Sequence, residues 1–196
     1  MALTVVAVLL TCSNLTTATS LTHEQLDELV EHIGQNPATT SANTSTLNID
    51  IDSLQKDFNA DINSILAQAQ FENDEQREFM EKLFLIKDYQ IFAAEEGKVF
   101  MNAFGNSVVI IGVTGNGDDH FKLLAYAFTT PENQDDMTLS SLILASFVKV
   151  ILPDADPEQF LNALFSAQSG DLVRDGIHFT VEQNGNLNIL TAVVAK

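Results

Sequence analysis

Apolar, β-branched runs separated by turn residues fill the middle of the chain and limit the folds open to it. The runs are 83–92, 99–104, 107–114 and 120–129. Each turn between them contains glycine, which tolerates the backbone angles of a tight β-turn. Ser107–Thr114 is the most β-branched run and is predicted as a central strand. Strands joined by such short turns form an antiparallel meander.

A second pair of strands lies near the end of the sequence. The segments 177–183 and 187–195 are strand-like, and Asn184-Gly185-Asn186 between them is a strong hairpin signal. Helical patterns separate the two groups of strands. Thr138–Leu152 is apolar nearly all round, as in a buried helix, and is too short to span a membrane. Asp156-Pro157 has the residue types of a helix start.

A short strand and an amphipathic helix are predicted ahead of the meander. Leu47–Asp52 alternates apolar and polar residues, as in a half-buried strand. Ser53–Gln70 has an apolar stripe at helical spacing, and Asp52 with Gln55 three residues later fits a capping box. Residues 71–81 are polar and indicate a loop or an extra helical turn. These separate runs favour an α+β fold, an antiparallel sheet of about five to six strands with helices packed on one face.

The first 20 residues carry no charged side chain. Leu3–Cys12 is an apolar run with the length of the hydrophobic region of a signal peptide, and it is too short to span a bilayer. Ala18 and Ser20 suit a signal-peptidase site, which predicts a mature chain beginning at Leu21. The protein is therefore expected to be exported, to the periplasm or to the cell exterior.

Alternative interpretations of this segment remain open. Cys12 follows Leu9-Leu10-Thr11, a degenerate form of the lipoprotein signal, which would make Cys12 a lipidation site. Val5–Leu10 also has the composition of a buried strand. Since Cys12 is the only cysteine, a chain cleaved after residue 20 has none, which suits an oxidising compartment.

The remaining chain divides into a short N-terminal part and one domain. Residues 21–46 are predicted to form an acidic helix, capped by Thr22, and a polar linker from Ala38 onward. Residues 47–196 have the length of a single α+β domain with its own core.

The charge balance excludes several classes of partner. The chain has 27 acidic and 9 basic residues, and its net charge is −18. Nucleic-acid binding and docking on an anionic membrane surface both need a basic patch, so neither is predicted. Hydrophobic residues make up 45% of the chain, which rules out an acidic disordered tail.

Possible metal ligands are concentrated in one predicted turn, at Asn116, Asp118, Asp119 and His120. Calcium prefers carboxylate and amide oxygens, so this turn is a candidate calcium site. These residues are also those of an ordinary β-turn, which is the simpler explanation. No other cofactor is predicted, because the glycines match no phosphate-binding motif. The chain also has no G-x-S-x-G motif, which argues against a serine hydrolase.

The unit Ile51–Asn59 (IDSLQKDFN), the strand series and the terminal strand pair together resemble small uncharacterised exported proteins of bacteria. The resemblance implies an α+β domain outside the cytoplasm and assigns no catalytic or binding residue. The order of elements also resembles the acidic, dimeric chaperones of bacterial secretion systems.

The sequence leaves three functions open. The first is a non-enzymatic exported protein that binds a protein or envelope partner through its sheet or a helical face. The second is a secretion-type or assembly chaperone, in which an acidic dimer holds an extended client. The third is a hydrolase that uses Asp or Glu together with His120 or His178 at the open side of the sheet.

Overall fold

The secondary structure confirms the α+β class. The computed structural model describes residues 21–39, 44–94, 97–131, 134–167 and 170–195. The cleavage and lipidation predictions for residues 1–20, including Cys12, lie outside the described residues.

Helices and strands occur in groups along the described chain. The five α-helices are α1 (His23–Gly34), α2 (Ile51–Leu66), α3 (Asp74–Phe84), α4 (Gln134–Ile151) and α5 (Pro157–Ser166). The seven strands are β1 (Gln90–Ala94), β2 (Gly97–Phe104), β3 (Val108–Thr114), β4 (Phe121–Thr129), β5 (Asp171–Arg174), β6 (Ile177–Asn184) and β7 (Leu187–Val194). The 3-10 turn Pro37–Thr39 follows α1.

All seven strands form one antiparallel sheet in the order β1-β2-β3-β4-β7-β6-β5. The first four strands are the predicted meander. The last three form a second meander that returns to the first, so that β7 pairs with β4 and β5 lies at the far edge. The sheet has seven strands rather than five to six. The strand with no sequence signal is β5, which is only four residues long.

Helices cover both faces of the sheet, whereas the sequence analysis placed them on one face. Val108 and Ile110 of β3 belong to the larger core, which contains buried side chains of α2, α3, α4 and α5. Val109 and Ile111 point the other way and pack with Leu29 of α1. We call these the helix face and the α1 face. Every residue of β3 is buried, so each face needs a cover.

Close packing of the helix face depends on a glycine in the central strand. A Cβ atom at Gly112 would lie 2.2 Å from the ring of Phe121. The Phe121 ring makes an edge contact with Phe100 at 5.9 Å between ring centroids. Further along β4, Tyr126 is fully buried and its hydroxyl donates to the carbonyl oxygen of Ser140 at 2.6 Å. Burial raises the pKa of Tyr126.

The predicted strand Leu47–Asp52 is wrong in its second half. Asp50 caps α2, since its carboxylate accepts from the backbone N–H of Ser53 while the Ser53 hydroxyl accepts from the backbone N–H of Asp50. The capping box therefore involves Asp50 and Ser53, instead of Asp52 and Gln55. The preceding residues do pair with the sheet: the Phe121 N–H donates to Ile49 and the Phe121 carbonyl accepts from Leu47.

The strand predicted for 83–92 is also only partly correct. Its first two residues end α3, and β1 begins at Gln90. Between them, the backbone of Ile86 is held by side chains of α2: Asn59 bonds both its N–H and its carbonyl oxygen, and Gln55 bonds the carbonyl as well. These bonds replace the strand pairing that the apolar composition suggested.

Other local predictions are confirmed. Thr22 caps α1 and Asp156 caps α5, with Pro157 in the first turn. The hairpin of β6 and β7 turns at Gly185, whose φ is 62°. In the part of the chain that the structure describes, no helix combines the length and the apolar character that crossing a bilayer requires.

Candidate functional site

The turn between β3 and β4 carries the predicted calcium ligands. The His120 Nδ1 atom lies 2.6 Å from the Asp118 Oδ1 atom, which also accepts from the backbone N–H of His120 at 3.0 Å. The Lys98 ammonium of β2 lies 2.6 Å from the Asp119 carboxylate. Asn116 is exposed at the tip of the turn. The turn carboxylates thus face cationic or donor groups of the protein itself.

A carboxylate from outside the turn lies close to it. Asp50 forms an isolated β-bridge with His120, which brings the start of α2 next to the start of β4. We call Asp50, Lys98, Asp118, Asp119 and His120 the turn cluster. It joins three separate parts of the chain at one end of the sheet.

Hydrogen bonds in the turn cluster shift the ionisation of its members. The hydrogen bond to Asp118 raises the pKa of His120, and the nearby charges of Asp50 and Asp119 add to this. The backbone N–H and the imidazole of His120 lower the pKa of Asp118. The backbone N–H of Ser53, followed by its hydroxyl, lowers the pKa of Asp50. All three shifts favour the charged forms, so the cluster is arranged as a set of ion pairs.

The turn cluster has donor types that would suit calcium. Within the described ranges, however, no group of three or more His, Cys, Asp or Glu side chains is placed to hold a metal ion. Asn116, Asp118, Asp119 and His120 remain a prediction as a calcium site.

His178, the other histidine proposed for hydrolysis, lies on the α1 face near the opposite edge of the sheet. Its Nε2 atom is 3.2 Å from the Asp171 carboxylate of β5. A second pair on this face joins His32 of α1 to Glu182 of β6 at 3.0 Å. All four side chains are well exposed to solvent. A half-exposed His–carboxylate pair can act as a general base, and the hydrolase remains a prediction.

A cavity of about 320 Å³ lies between α2 and α4 and contains no histidine in its lining. The Asp61 carboxylate in its wall accepts from the Ser146 hydroxyl at 2.8 Å and lies 4.0 Å from the Lys149 ammonium. Ser146 is fully buried, so its hydroxyl is not accessible to a substrate. These contacts are polar interactions between the packed helices α2 and α4.

The most exposed apolar element is the edge strand β1, which we call the open edge. All five of its residues are exposed, and none is charged. Ile91 and Phe92 expose 47% and 46% of their surface. Ile91 pairs with Phe100 and so lies on the helix face, while Phe92 pairs with Val99 and lies on the α1 face.

The sequence does not single out the open edge. Only the first three residues of β1 lie within the predicted strand, at the end of the apolar run 83–92. The sequence of β1 lacks the charged residues and the proline that usually protect an edge strand, so nothing in it indicated an edge position.

No protein-family model, curated protein or solved structure matches this chain.

Proposed function

We propose that this protein is a non-enzymatic binding protein that holds a partner protein at the open edge. The observation that carries the proposal is the exposure of β1 at the border of a seven-stranded sheet. An edge strand presents backbone N–H and C=O groups that can pair with another chain. Ile91 and Phe92 add apolar surface on both sides of that backbone.

A chaperone for an extended client would use the same surface. The two binding functions therefore differ in their partner, and a single experiment at the open edge addresses both. The acidic surface, with its net charge of −18, supports a soluble protein that avoids self-association.

The test is site-specific photo-crosslinking in the cells that produce the protein. A photoreactive residue replaces Ala93 in β1, and in a matched variant it replaces Val173 in β5, the exposed strand at the other edge. We expect a discrete adduct at position 93 and about tenfold less at position 173. The partner is then identified by mass spectrometry, purified and titrated against the full chain.

Two results would overturn the proposal. One is the absence of any adduct at position 93 above the unirradiated sample. The other is equal labelling at both edges, which indicates non-specific contact. With the purified partner, Phe92→Lys must weaken binding while Val173→Lys leaves it unchanged.

We also propose that the protein is exported, with residues 1–20 as the signal. The proposal is supported by their uncharged apolar composition and by the lack of cysteine after residue 20. The intact mass of the protein from the cell envelope or the medium tests it, and we expect a chain that begins at Leu21. A lipid-modified Cys12 at the N-terminus would support the alternative signal. An unprocessed chain found only in the cytoplasm would contradict both.

A further inference from the structure

We infer that the partner contributes an extended, basic segment that pairs with β1 as an eighth strand of the sheet. The inference rests on the proposed function and adds the conformation and the charge of the ligand. Its first support is the sheet order: β1 pairs only with β2, and among the described residues no strand lies on its other side.

The side chains of β1 fit an extended ligand. Successive residues of a strand point to opposite faces, and here Ile91 and Phe92 do so. An incoming strand would therefore meet an apolar side chain on each face of the sheet, at alternate positions. A helical ligand would contact only one face. Two-sided exposure thus favours strand addition over helix docking.

Charge around the open edge favours a basic ligand. The lysines nearest to β1 in the sequence are both engaged: Lys87 lies 3.7 Å from Glu81, and Lys98 of β2 lies 2.6 Å from Asp119. In the sequence, Asp88 comes just before β1, and two glutamates come just after it. The net charge of the whole chain, −18, has the same sign as this local excess. A ligand with Lys or Arg beside its apolar centre is complementary to it.

The same charges disfavour a second copy of this chain at the open edge. Antiparallel self-pairing over the whole of β1 would bring Asp88 of one copy toward the glutamates that follow β1 in the other. Each copy also carries 18 negative charges, which oppose association. These charges therefore favour a different chain over a second copy.

The test uses the full-length protein and labelled synthetic peptides. The basic probe is KKVTVTVKK, and the matched probes are EEVTVTVEE and KKVTPTVKK. By fluorescence anisotropy at low salt, we expect the basic probe to bind at least about tenfold more tightly than either of the others. The acidic probe has the wrong charge, and the central proline removes a backbone donor and disrupts strand pairing. Amide hydrogen exchange in β1 should slow when the basic probe is bound.

Matched variants place the bound probe on the sheet. Phe92→Lys and Val173→Lys add the same charge to an exposed apolar position of an edge strand. We expect Phe92→Lys to weaken binding of the basic probe about tenfold, and Val173→Lys to change it less than about twofold. Circular dichroism and thermal melting show whether both variants remain folded.

Several outcomes would overturn the inference. If the basic and acidic probes bind with equal affinity, the ligand need not be basic. If the basic and proline probes bind with equal affinity, the ligand does not bind as a strand. Slow exchange in the free protein of the β1 amides that do not bond to β2 would mean that the outer side of the edge is already paired. Light scattering that shows a dimer, lost in Phe92→Lys, would assign the edge to a second copy. If photo-crosslinking at position 93 still yields a partner, these failures leave the proposed function intact; if it also yields none, both fall.

Discussion

The two edges of the sheet are built differently. β1 has five exposed residues without a charge, whereas β5 is a residue shorter and carries Asp171 and Arg174 at its ends. Asp171 pairs with His178 at 3.2 Å. Leu172 of β5 is half-buried against the main core, and α5 packs against this strand. One edge is thus tied to its neighbours and charged, and the other is open.

The open edge lacks local protections that β5 has. Edge strands invite aggregation, and proteins usually protect them by short length, charge, proline or a covering element. β5 shows two of these protections, short length and charge, within the same sheet. Solubility at β1 instead depends on the net charge of the whole molecule. The proposed binding at the open edge would account for the missing local protection.

The largest expected effect on stability comes from substituting the glycines of the two edge hairpins. Gly97, the first residue of β2, has a φ of 133°, and a Cβ atom there would lie 2.3 Å from the carbonyl oxygen of Thr114. Gly176, between β5 and β6, has a φ of 76° and no atom within 4 Å of the added Cβ. We expect Gly97→Ala to lower the free energy of unfolding by about 3 kcal/mol or more. Gly176→Ala should lower it by about 1 kcal/mol. Urea unfolding followed by circular dichroism measures both.

Similar losses in the two glycine variants would contradict this prediction. They would mean that the β1–β2 turn can shift away from Thr114, so that the open edge adapts more easily than its contacts indicate. The urea dependence should be the same in both variants, since a change in slope signals a change in the unfolded or native ensemble.

The second prediction tests how firmly each edge is packed. Leu172→Ala in β5 should cost about 1–2 kcal/mol, because Leu172 pairs with the buried Phe179 and packs against the core. Ile91→Ala in β1 should cost about 0.5 kcal/mol or less, because half of Ile91 is already exposed. The same urea experiment compares them. A larger cost for Ile91→Ala would show that the open edge is a structural part of the core.

How much of the fold could be predicted depended on how local the signal was. The β6–β7 hairpin and the start of α5 were predicted from turn and capping residues that act within a few positions. Which strands lie at the edges of the sheet could not be predicted in this way. It depends on the pairing of β7 with β4, which are separated by more than 50 residues. The α1 face was missed although Ser107–Thr114 showed no polar alternation, which is the pattern of a strand buried on both sides.

The candidate sites could likewise be predicted only where their residues are close in the sequence. Asp118, Asp119 and His120 are neighbours in the sequence, so their proximity could be predicted. Lys98 and Asp50 join them only through the pairing of β2 with β3 and of the segment before α2 with β4. The open edge is a property of position in the sheet, and no residue pattern within β1 specifies it.

The third prediction concerns the turn cluster, which anchors the hairpin of the open edge through Lys98. The pKa of His120 is raised in the folded protein, so its contribution to stability is fully present below about pH 6.5. It is lost as the pH rises through the raised value. We expect His120→Gln to melt about 1–2 °C below the parent near pH 5.5 and at the same temperature near pH 9. A difference that grows with pH would contradict the assigned ion pair.

The smallest expected effect on stability comes from removing an exposed ion pair near each edge. Lys98 and Asp119 are 2.6 Å apart and connect β2 to the β3–β4 turn, whereas Arg174 and its sequence neighbour Asp175 are 3.4 Å apart. Exposed pairs contribute little, so Lys98→Met should cost about 0.5 kcal/mol and Arg174→Met should cost less. Salt should reduce the cost of Lys98→Met, because an exposed pair is screened. A loss that is larger and insensitive to salt would mean that Lys98 holds the hairpin of the open edge by its packing, and not by its charge.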